Sequence, residues 1–162
     1  MAYEVTIHEL PLRAVFDLKG DRAALAAWCG IALPDQPNRQ AGAGLGQVAL
    51  IGPDHWLLWA DVAEERDLAA SLRPEAVPAD LSIVLISDTL TFLAVTGPDA
   101  GEVMAVATPL DLHPSVFGPD DIAFAEAHGI KALIRRLAGG FELGVERSYA
   151  DWFRTILERC AS

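Results

Sequence analysis

The chain has 162 residues, a formal net charge of −11 and 52% hydrophobic residues, which suits one compact domain, or two small fused lobes, with a sizeable core. An acidic chain repels phosphate backbones and anionic lipid headgroups, so we expect neither nucleic acid nor a membrane as a partner. The first residues, MAYEVTIHELPLR, carry acids and lack the apolar stretch of a signal peptide, and no apolar run approaches the roughly 20 residues that cross a bilayer.

The N-terminal part is predicted to be an arm followed by a strand and a helix. The arm covers Met1–Pro11, which has few apolar anchors. Arg13–Lys19, RAVFDLK, alternates apolar and polar residues as a strand does. Asp21 is suited to cap the next helix by accepting backbone N–H bonds. Three residues of that helix share one face at i, i+3 and i+4 spacing: Leu25, Trp28 and Cys29.

The two cysteines, Cys29 and Cys160, each lie in a helical pattern. Free cysteine is among the most buried residue types, and nothing in the sequence indicates secretion. We therefore expect two buried thiols in preference to a disulfide.

A hairpin is predicted in the middle of the first half. Before it, Pro34–Gly46 has the composition of a surface loop, and its glycines lack the GK[ST] continuation of a phosphate-binding loop. Gln47–Ile51 and His55–Trp59 are the predicted strands, and Gly52-Pro53-Asp54 supplies the turn between them.

Two tryptophans, Trp56 and Trp59, lie in the second strand of this hairpin and cannot share a face of a regular pleat. One of them is therefore expected to be exposed and to mark a contact surface.

Asp61 is then predicted to cap a helix that runs to about Arg73. Two leucines of this helix are expected to face the core: Leu68 and Leu72.

The second half is predicted to begin with a pair of strands after the two-proline linker Pro74–Asp80. Leu81–Ile86, LSIVLI, is almost entirely apolar, which favours a central strand buried on both faces. Thr91–Val95 is its predicted partner. Pro98 is suited to the first position of the next helix. Three residues of that helix are expected to pack inward: Val103, Met104 and Val106.

The longest irregular stretch is predicted at Thr108–Gly129, which three prolines and two glycines interrupt. Irregular stretches of this length are often functional or partner-binding. Ile130–Leu137 and Phe141–Val145 then form a predicted hairpin around the dipeptide Gly139-Gly140.

The last helix has the clearest amphipathic pattern in the chain. Ser148 and Asp151 are predicted to form its capping box. Six residues share its apolar face: Tyr149, Trp152, Phe153, Ile156, Leu157 and Cys160.

The two halves share one order of predicted elements, which is strand, helix, loop, hairpin and helix. The match includes the strand ends, because FDLKGD at Phe16–Asp21 corresponds to FLAVTGPD at Phe92–Asp99. We therefore predict an α+β fold with mostly antiparallel sheets. It would form a single domain over 1–162, made of two tandem strand-helix-hairpin-helix repeats at about 12–73 and 81–161.

Residue types that carry chemistry are present without a pattern that requires catalysis. The four histidines lack the spacing of metal ligands: His8, His55, His113 and His128. His113, in DLHP, is either a ligand contact or a turn histidine bonded to the backbone, and the second is favoured. We predict no catalytic residue and no metal site, and we assign no cofactor-binding residue.

Two charged clusters leave alternatives open. Asp120-Asp121 is either a pair of functional carboxylates or, beside Pro119, a helix N-cap and a solvated charge. The second cluster, which either binds an anion or pairs across strands with Glu142 or Glu146, consists of three arginines: Arg135, Arg136 and Arg147.

Three motifs resemble the gamma subunit of heterotetrameric sarcosine oxidase. They are SDTLTFLAVTGPDAGEV at Ser87–Val103, TPLDLHPSVF at Thr108–Phe117 and FELGVERSYADWFRTIL at Phe141–Leu157. Their order and spacing match from about Leu10 to Leu157, and VERSYADWFRTIL is more specific than VTGPDA. That subunit belongs to the wider aminomethyltransferase-like, folate-associated family, so the resemblance implies the fold of its folate-binding domain.

The resemblance implies an accessory, non-catalytic subunit of a four-subunit flavoenzyme. That enzyme oxidatively demethylates sarcosine to glycine, hydrogen peroxide and 5,10-methylenetetrahydrofolate. The implied partners are the alpha, beta and delta subunits, in the cytoplasm. The implied cofactors are FAD, FMN, NAD and tetrahydrofolate, held by the larger subunits, with none bound by this chain alone.

One motif separates the chain from the catalytic members of the wider family. Those members carry Y-T-G-E-x-G-F-E, whose first acid contacts the pterin, whereas Leu137–Leu143 is LAGGFEL. Gly140, Phe141 and Glu142 remain, and the pterin-binding acid has no equivalent. The alternative hypothesis is a stand-alone folate- or small-ligand-binding module that uses the cleft between the repeats and Thr108–Gly129. A folate-dependent transferase is disfavoured because that acid is missing.

Overall fold

A computed structural model of the chain describes residues 2–44 and 46–162. Met1 and Leu45, which the predicted arm and loop include, lie outside the described residues. The chain forms two compact units. The first unit spans Leu12–Ser87, and the second combines residues 88–162 with the N-terminal residues up to Pro11.

Short strands and helices follow one another along the described part of the chain. The strands are β1 (Thr6–Glu9), β2 (Arg13–Lys19), β3 (Gln40–Ala43), β4 (Gly46–Gly52), β5 (His55–Asp61), β6 (Ser82–Leu85), β7 (Leu90–Thr96), β8 (Ile122–Ala127), β9 (Ile130–Leu137) and β10 (Gly140–Glu146). The helices are α1 (Arg22–Cys29), α2 (Glu65–Leu72), α3 (Ala100–Ala107) and α4 (Ala150–Cys160). Short 3-10 turns occupy Val62–Glu64, Pro74–Ala76 and Arg147–Tyr149.

The first unit is an antiparallel sheet with helices on one face. Within the described residues its strand order is β3-β4-β5-β2-β6. Phe16, Leu18 and Leu58 point from the sheet into a core shared with Leu25 of α1 and Leu72 of α2. The Asp21 carboxylate accepts a hydrogen bond from Ala24 N at 2.9 Å, so the predicted cap of α1 is confirmed.

The second unit repeats this arrangement. Across the part of the chain that the structure describes, its strand order is β1-β7-β10-β9-β8, and every pair is antiparallel. Leu93, Val95 and Leu143 share a core with Met104 of α3 and Phe153 of α4. The predicted α+β class with antiparallel sheets and the order strand, helix, hairpin and helix is thus confirmed. The repeat limits at about 12–73 and 81–161 remain a prediction.

Each sheet receives one edge strand from a distant part of the chain. β1 pairs with β7, Thr6 opposite Thr96, although it precedes β2 in sequence. β6 pairs with β2, Lys19 opposite Ser82. The predicted arm is therefore partly a strand, and Leu81–Ile86 is neither a central strand nor the partner of β7. Among the residues that the structure describes, β6 is an edge strand, paired only with β2 in its sheet. The apolar pattern of Leu81–Ile86 suggested a central strand, but such a pattern does not reveal how many strands lie beside it.

Two glycines mark where these edge strands enter. Gly20 and Gly97 follow β2 and β7 and have φ values of 133° and 130°, which L side chains rarely adopt. A Cβ on Gly97 would collide with the carbonyl oxygen of Glu4 and lie 2.9 Å from Val5 Cα. Glycine is therefore needed for both the backbone angle and the close approach of β1.

Two stretches predicted as loops contain strands. Pro34–Gly46 holds β3, which pairs with β4, and Thr108–Gly129 holds β8, which pairs with β9. Both strands are short edge strands rich in alanine, so their sequences carry little β-propensity. His128 and Gly129, with φ values of 46° and 81°, form the two-residue turn of the β8–β9 hairpin, which suits the type I′ pattern.

Three further sequence predictions were wrong in their details. Trp56 and Trp59 are both 2% exposed. They lie on opposite faces of β5, so both faces of this strand are covered in the folded chain and neither tryptophan marks an exposed contact surface. Val106 is 61% exposed, whereas Val103 and Met104 are buried as predicted. Ser148 does not cap α4, since its hydroxyl donates to the Glu146 carboxylate at 3.0 Å.

Candidate functional site

A groove of about 660 Å³ in the second unit is the largest candidate ligand site among the described pockets. It lies between the start of α3, the β9–β10 turn and the segment Leu110–Pro114. Part of its wall is backbone, contributed by three glycines: Gly97, Gly139 and Gly140. Leu112 and Phe141 supply part of its apolar lining.

Arg136 organises one wall of this groove. Its guanidinium donates hydrogen bonds to the carbonyl oxygens of Phe117, at 2.7 Å, and of Leu112. The same guanidinium lies over the Phe141 ring, 4.8 Å from the centroid. Since these contacts hold the 110–117 segment against β9 and β10, Arg136 is engaged in structure and is not poised to bind an anion.

Arg135, the neighbouring arginine, follows the second of the two alternatives and pairs across strands. It stands opposite Glu142 in the β9–β10 register, and Nη2 lies 2.8 Å from Oε2. The Glu142 side chain is 2% exposed. Arg147 is exposed, and its backbone N–H donates to the Thr89 carbonyl at 2.8 Å.

A second groove, of about 310 Å³, lies in the first unit. It adjoins the start of α1 at Arg22 and the β4–β5 turn at Pro53 and Asp54. Trp56 lines it and donates its indole N–H to the Pro34 carbonyl at 2.9 Å. The two grooves therefore occupy corresponding places, each beside the first helix and the long hairpin of its unit.

The histidines do not converge. Among residues 2–44 and 46–162, no three His, Cys, Asp or Glu side chains are grouped to hold a metal ion. His8 is exposed on β1. His113 Nδ1 accepts a hydrogen bond from Ser115 N at 3.2 Å, as expected for a turn histidine.

The Asp120-Asp121 pair precedes a strand, not a helix. The Asp121 carboxylate accepts a hydrogen bond from Gly118 N at 2.6 Å, and β8 begins at the next residue. The helix N-cap considered for this pair is therefore wrong.

A charged cluster on the first unit's sheet was missed from the sequence. The Asp17 carboxylate contacts His55 Nε2 and lies 3.0 Å from Lys19 Nζ. Asp17 and Lys19 share a face of β2, and His55 stands directly across from Lys19 on β5. The i, i+2 spacing of opposite charges in RAVFDLK was the available signal, but the β2–β5 register was needed to place the histidine.

The two thiols differ in their surroundings. Cys29 is buried, as predicted, and burial raises the pKa of its thiol, while the nearby Arg73 charge lowers it to a smaller extent. Cys160 is half-buried, and its Sγ lies 3.8 Å from His128 Nε2. Burial lowers the pKa of His128, whose ring packs edge-on against Phe153 with centroids 6.0 Å apart.

None of the helices in the described part of the chain is long and apolar enough to span a membrane.

The fold defines the class of protein. Glycine cleavage system aminomethyltransferase T from Bartonella henselae is similar to 96% of this chain, and the match covers 46% of that chain, with a TM-score of 0.68 at 16% identity. At that identity the likeness shows the fold alone, which is aminomethyltransferase-like. The model of the sarcosine oxidase, gamma subunit family matches residues 21–162. The chain belongs to this family, as its motifs predicted.

Curated relatives support the same assignment. Sarcosine oxidase subunit gamma from Arthrobacter sp is 36% identical over 111 residues, 68% of this chain and 53% of that protein. The subunit from Corynebacterium sp. (strain P-1) is 36% identical over 100 residues, 61% of this chain and 48% of that protein. The chain thus spans about half the length of the curated relatives it matches.

A solved structure resembles nearly the whole chain. It is the heterotetrameric sarcosine oxidase from Corynebacterium sp. U-96 in complex with pyrrole 2-carboxylate, which matches with a TM-score of 0.78 and 26% identity. The match covers 98% of this chain and 86% of that chain. The fold therefore agrees with the family assignment along both units.

The residues at the β9–β10 turn do not fit a pterin site of the catalytic kind. Ala138 and Gly139 form the turn. In the motif Y-T-G-E-x-G-F-E, given above for the catalytic members of the wider family, the acid stands two residues before the glycine of GFE, which is the place of Ala138 here. A Cβ on Gly140 would collide with the Val95 carbonyl and lie 2.8 Å from Thr96 Cα. Glu142, the remaining acid, is buried and paired with Arg135, so no carboxylate of this motif is available to a ligand.

Proposed function

We propose that the chain is the accessory, non-catalytic gamma subunit of a heterotetrameric sarcosine oxidase. The assembly would oxidatively demethylate sarcosine to glycine, hydrogen peroxide and 5,10-methylenetetrahydrofolate. The observation that carries the proposal is the likeness to a heterotetrameric sarcosine oxidase over 98% of this chain, together with the family match over residues 21–162.

The alpha, beta and delta subunits are the proposed partners, in the cytoplasm. FAD, FMN, NAD and tetrahydrofolate would be held by the larger subunits, with none bound by this chain alone. The β9–β10 turn supports this division for folate, since Glu142 is committed to Arg135 and the turn itself, Ala138-Gly139, is not acidic.

Co-expression with the other three subunits of the same organism tests the proposal. Affinity capture of this chain should retain the alpha, beta and delta subunits and the absorption spectrum of a flavoprotein. The captured assembly should form hydrogen peroxide from sarcosine, whereas the isolated chain should not. Sarcosine oxidation by the isolated chain, or capture without any of the larger subunits, contradicts the proposal.

A stand-alone folate- or small-ligand-binding module is the second candidate, favoured by the groove of about 660 Å³. Calorimetry of the isolated chain with tetrahydrofolate distinguishes the two functions. Saturable micromolar binding by the isolated chain would favour the module. Absence of heat at the same concentrations would favour the accessory subunit.

A further inference from the structure

We propose that Tyr149 and Trp152, at the start of α4, form the anchor by which the chain docks onto a larger protein subunit. These two side chains together with Phe124 of β8 are called the aromatic ridge. The inference deepens the proposed function and rests on it, because it specifies the surface through which an accessory subunit would join its assembly.

The aromatic ridge is exposed in the folded chain. Tyr149 and Trp152 are each 46% exposed and Phe124 is 41% exposed. The Tyr149 and Trp152 rings pack edge to face, with centroids 6.5 Å apart and planes at 68°. The two rings therefore support each other on the surface before any partner binds.

The core of the unit does not account for the aromatic ridge. Phe153 and Leu157 of α4 are 0% exposed and anchor the helix in the second unit's core. Tyr149 and Trp152 lie outside that cluster. Tyrosine and tryptophan are the residue types most enriched among the side chains that dominate binding energy at interfaces. A pair of them, preorganised and exposed, suits a docking anchor.

Two grooves flank the aromatic ridge. One, of about 380 Å³, is lined by Tyr149 and Phe124 together with Leu90 and Ile130. The other, of about 240 Å³, is lined by Trp152 and Ile156. Apolar side chains of a partner could enter on both sides of the ridge, which is the arrangement of paired anchors and pockets in well-packed interfaces.

Charge around the aromatic ridge defines the kind of partner. Residues 122–162 contain six Lys or Arg and five Asp or Glu. Residues 1–121 contain six Lys or Arg and 18 Asp or Glu. The first groove carries Lys131 and Glu146, and the second carries Asp151 and Arg159. The ridge is therefore a charge-balanced area on an acidic chain, where another acidic protein meets little repulsion.

This balance favours a protein with apolar anchors and a rim of both charges over a polyanion or a basic peptide, each of which needs an excess of one charge. We commit to a larger subunit of the proposed assembly as the occupant. A competing surface exists on the first unit, where Val84 and Leu85 of the edge strand β6 are 47% and 42% exposed. This β6 edge and self-association are the rival outcomes.

Substitutions separate the aromatic ridge from its rival. Tyr149→Ala and Trp152→Ala should each weaken capture of the co-expressed alpha, beta and delta subunits by about 30-fold, the loss typical of an interface anchor. Trp152→Phe should retain most of the affinity. Val106→Ala, at a 61% exposed position of α3, is the matched control and should leave capture unchanged, as should Val84→Ala.

Tryptophan fluorescence gives a second readout, which uses the wild-type chain and the mild variant Trp152→Phe. Trp56 and Trp59 are 2% exposed and Trp28 is half-buried, whereas Trp152 is 46% exposed. Acrylamide should quench an exposed component in the isolated chain, and Trp152→Phe should lack that component. In the assembly, the component that Trp152 contributes should become protected from acrylamide.

Three results overturn the inference. The first is unchanged capture by Tyr149→Ala and Trp152→Ala variants with normal unfolding midpoints. The second is loss of capture with Val84→Ala, which would place the contact on the β6 edge and leave the proposed function intact. The third is a wild-type dimer of the isolated chain that Trp152→Ala converts to monomer. If the wild-type chain captures none of the larger subunits, the proposed function itself fails.

Discussion

The guanidinium of Arg135 lies 2.8 Å from the carboxylate of Glu142, directly across the β9–β10 pair. The Glu142 side chain is 2% exposed and that of Arg135 is 20% exposed. A buried carboxylate without a cationic partner is strongly unfavourable. The acid that remains from the family's GFE motif is therefore held inside the sheet by an ion pair with Arg135.

Replacement of Arg135 by methionine should lower the free energy of unfolding by about 3 kcal/mol, because a buried pair loses one member. The double variant Arg135→Met with Glu142→Leu should recover most of that loss, since it removes both charges. Urea denaturation at neutral pH measures both. Arg147→Met, at an exposed position, is the control. Equal free energies of unfolding for the single and double variants would show that Glu142 costs no stability without its Arg135 partner, which would contradict the prediction.

Gly97 and Gly101 form a matched pair of sites for alanine. Gly97→Ala should cost about 2 kcal/mol or more, since φ is 130° and the added Cβ meets Glu4 and Val5. Gly101 lies in α3, and a Cβ there meets nothing within 4 Å, so Gly101→Ala should stabilise by up to about 1 kcal/mol. Thermal unfolding compares the two. A neutral Gly97→Ala would contradict the close approach of β1.

The two cysteines should react with iodoacetamide at very different rates. Cys160 is half-buried, whereas Cys29 is 5% exposed, and burial raises the pKa of the Cys29 thiol. The nucleophile is the thiolate, so Cys160 should be labelled first and Cys29 only as the chain unfolds. Mass spectrometry of peptides from timed samples identifies the order. Rapid labelling of Cys29 in the native chain would contradict its burial.

The pKa of His128 should make stability depend on pH. Burial lowers it from the ordinary value of 6.5, so the unfolded chain binds this proton more readily than the folded chain. The contribution of His128 to the free energy of unfolding is fully present above about pH 6.5. It decreases as the pH falls toward the lowered pKa of the folded chain. Urea denaturation should show a smaller loss between about pH 7.5 and pH 5.5 for His128→Asn than for wild type.

Asparagine is the appropriate replacement, because His128 has a φ of 46° and asparagine tolerates that region. His8→Asn, at an exposed position of β1, is the control and should keep the wild-type dependence. An identical loss of stability in wild type and His128→Asn would contradict the prediction.

Local structure was predictable where neighbours in sequence decide it. The β4–β5 and β9–β10 hairpins carry their turn residues between apolar strands, and α1 and α4 carry apolar stripes at helical spacing. The motifs also sufficed to predict the family. By contrast, β3 and β8 are short and alanine-containing edge strands, so pairing with β4 and β9 decides their conformation.

The sequence by itself determined the helices, the two long hairpins, the α+β class and the gamma subunit family. The tertiary structure alone decided that β1 and β6 join sheets far from their neighbours in sequence, that Trp56 and Trp59 are both buried, and that Tyr149 and Trp152 are exposed. The physical reason is that spacing along a strand or helix specifies which residues share a face. Whether that face is covered depends on the elements brought against it by residues many positions away.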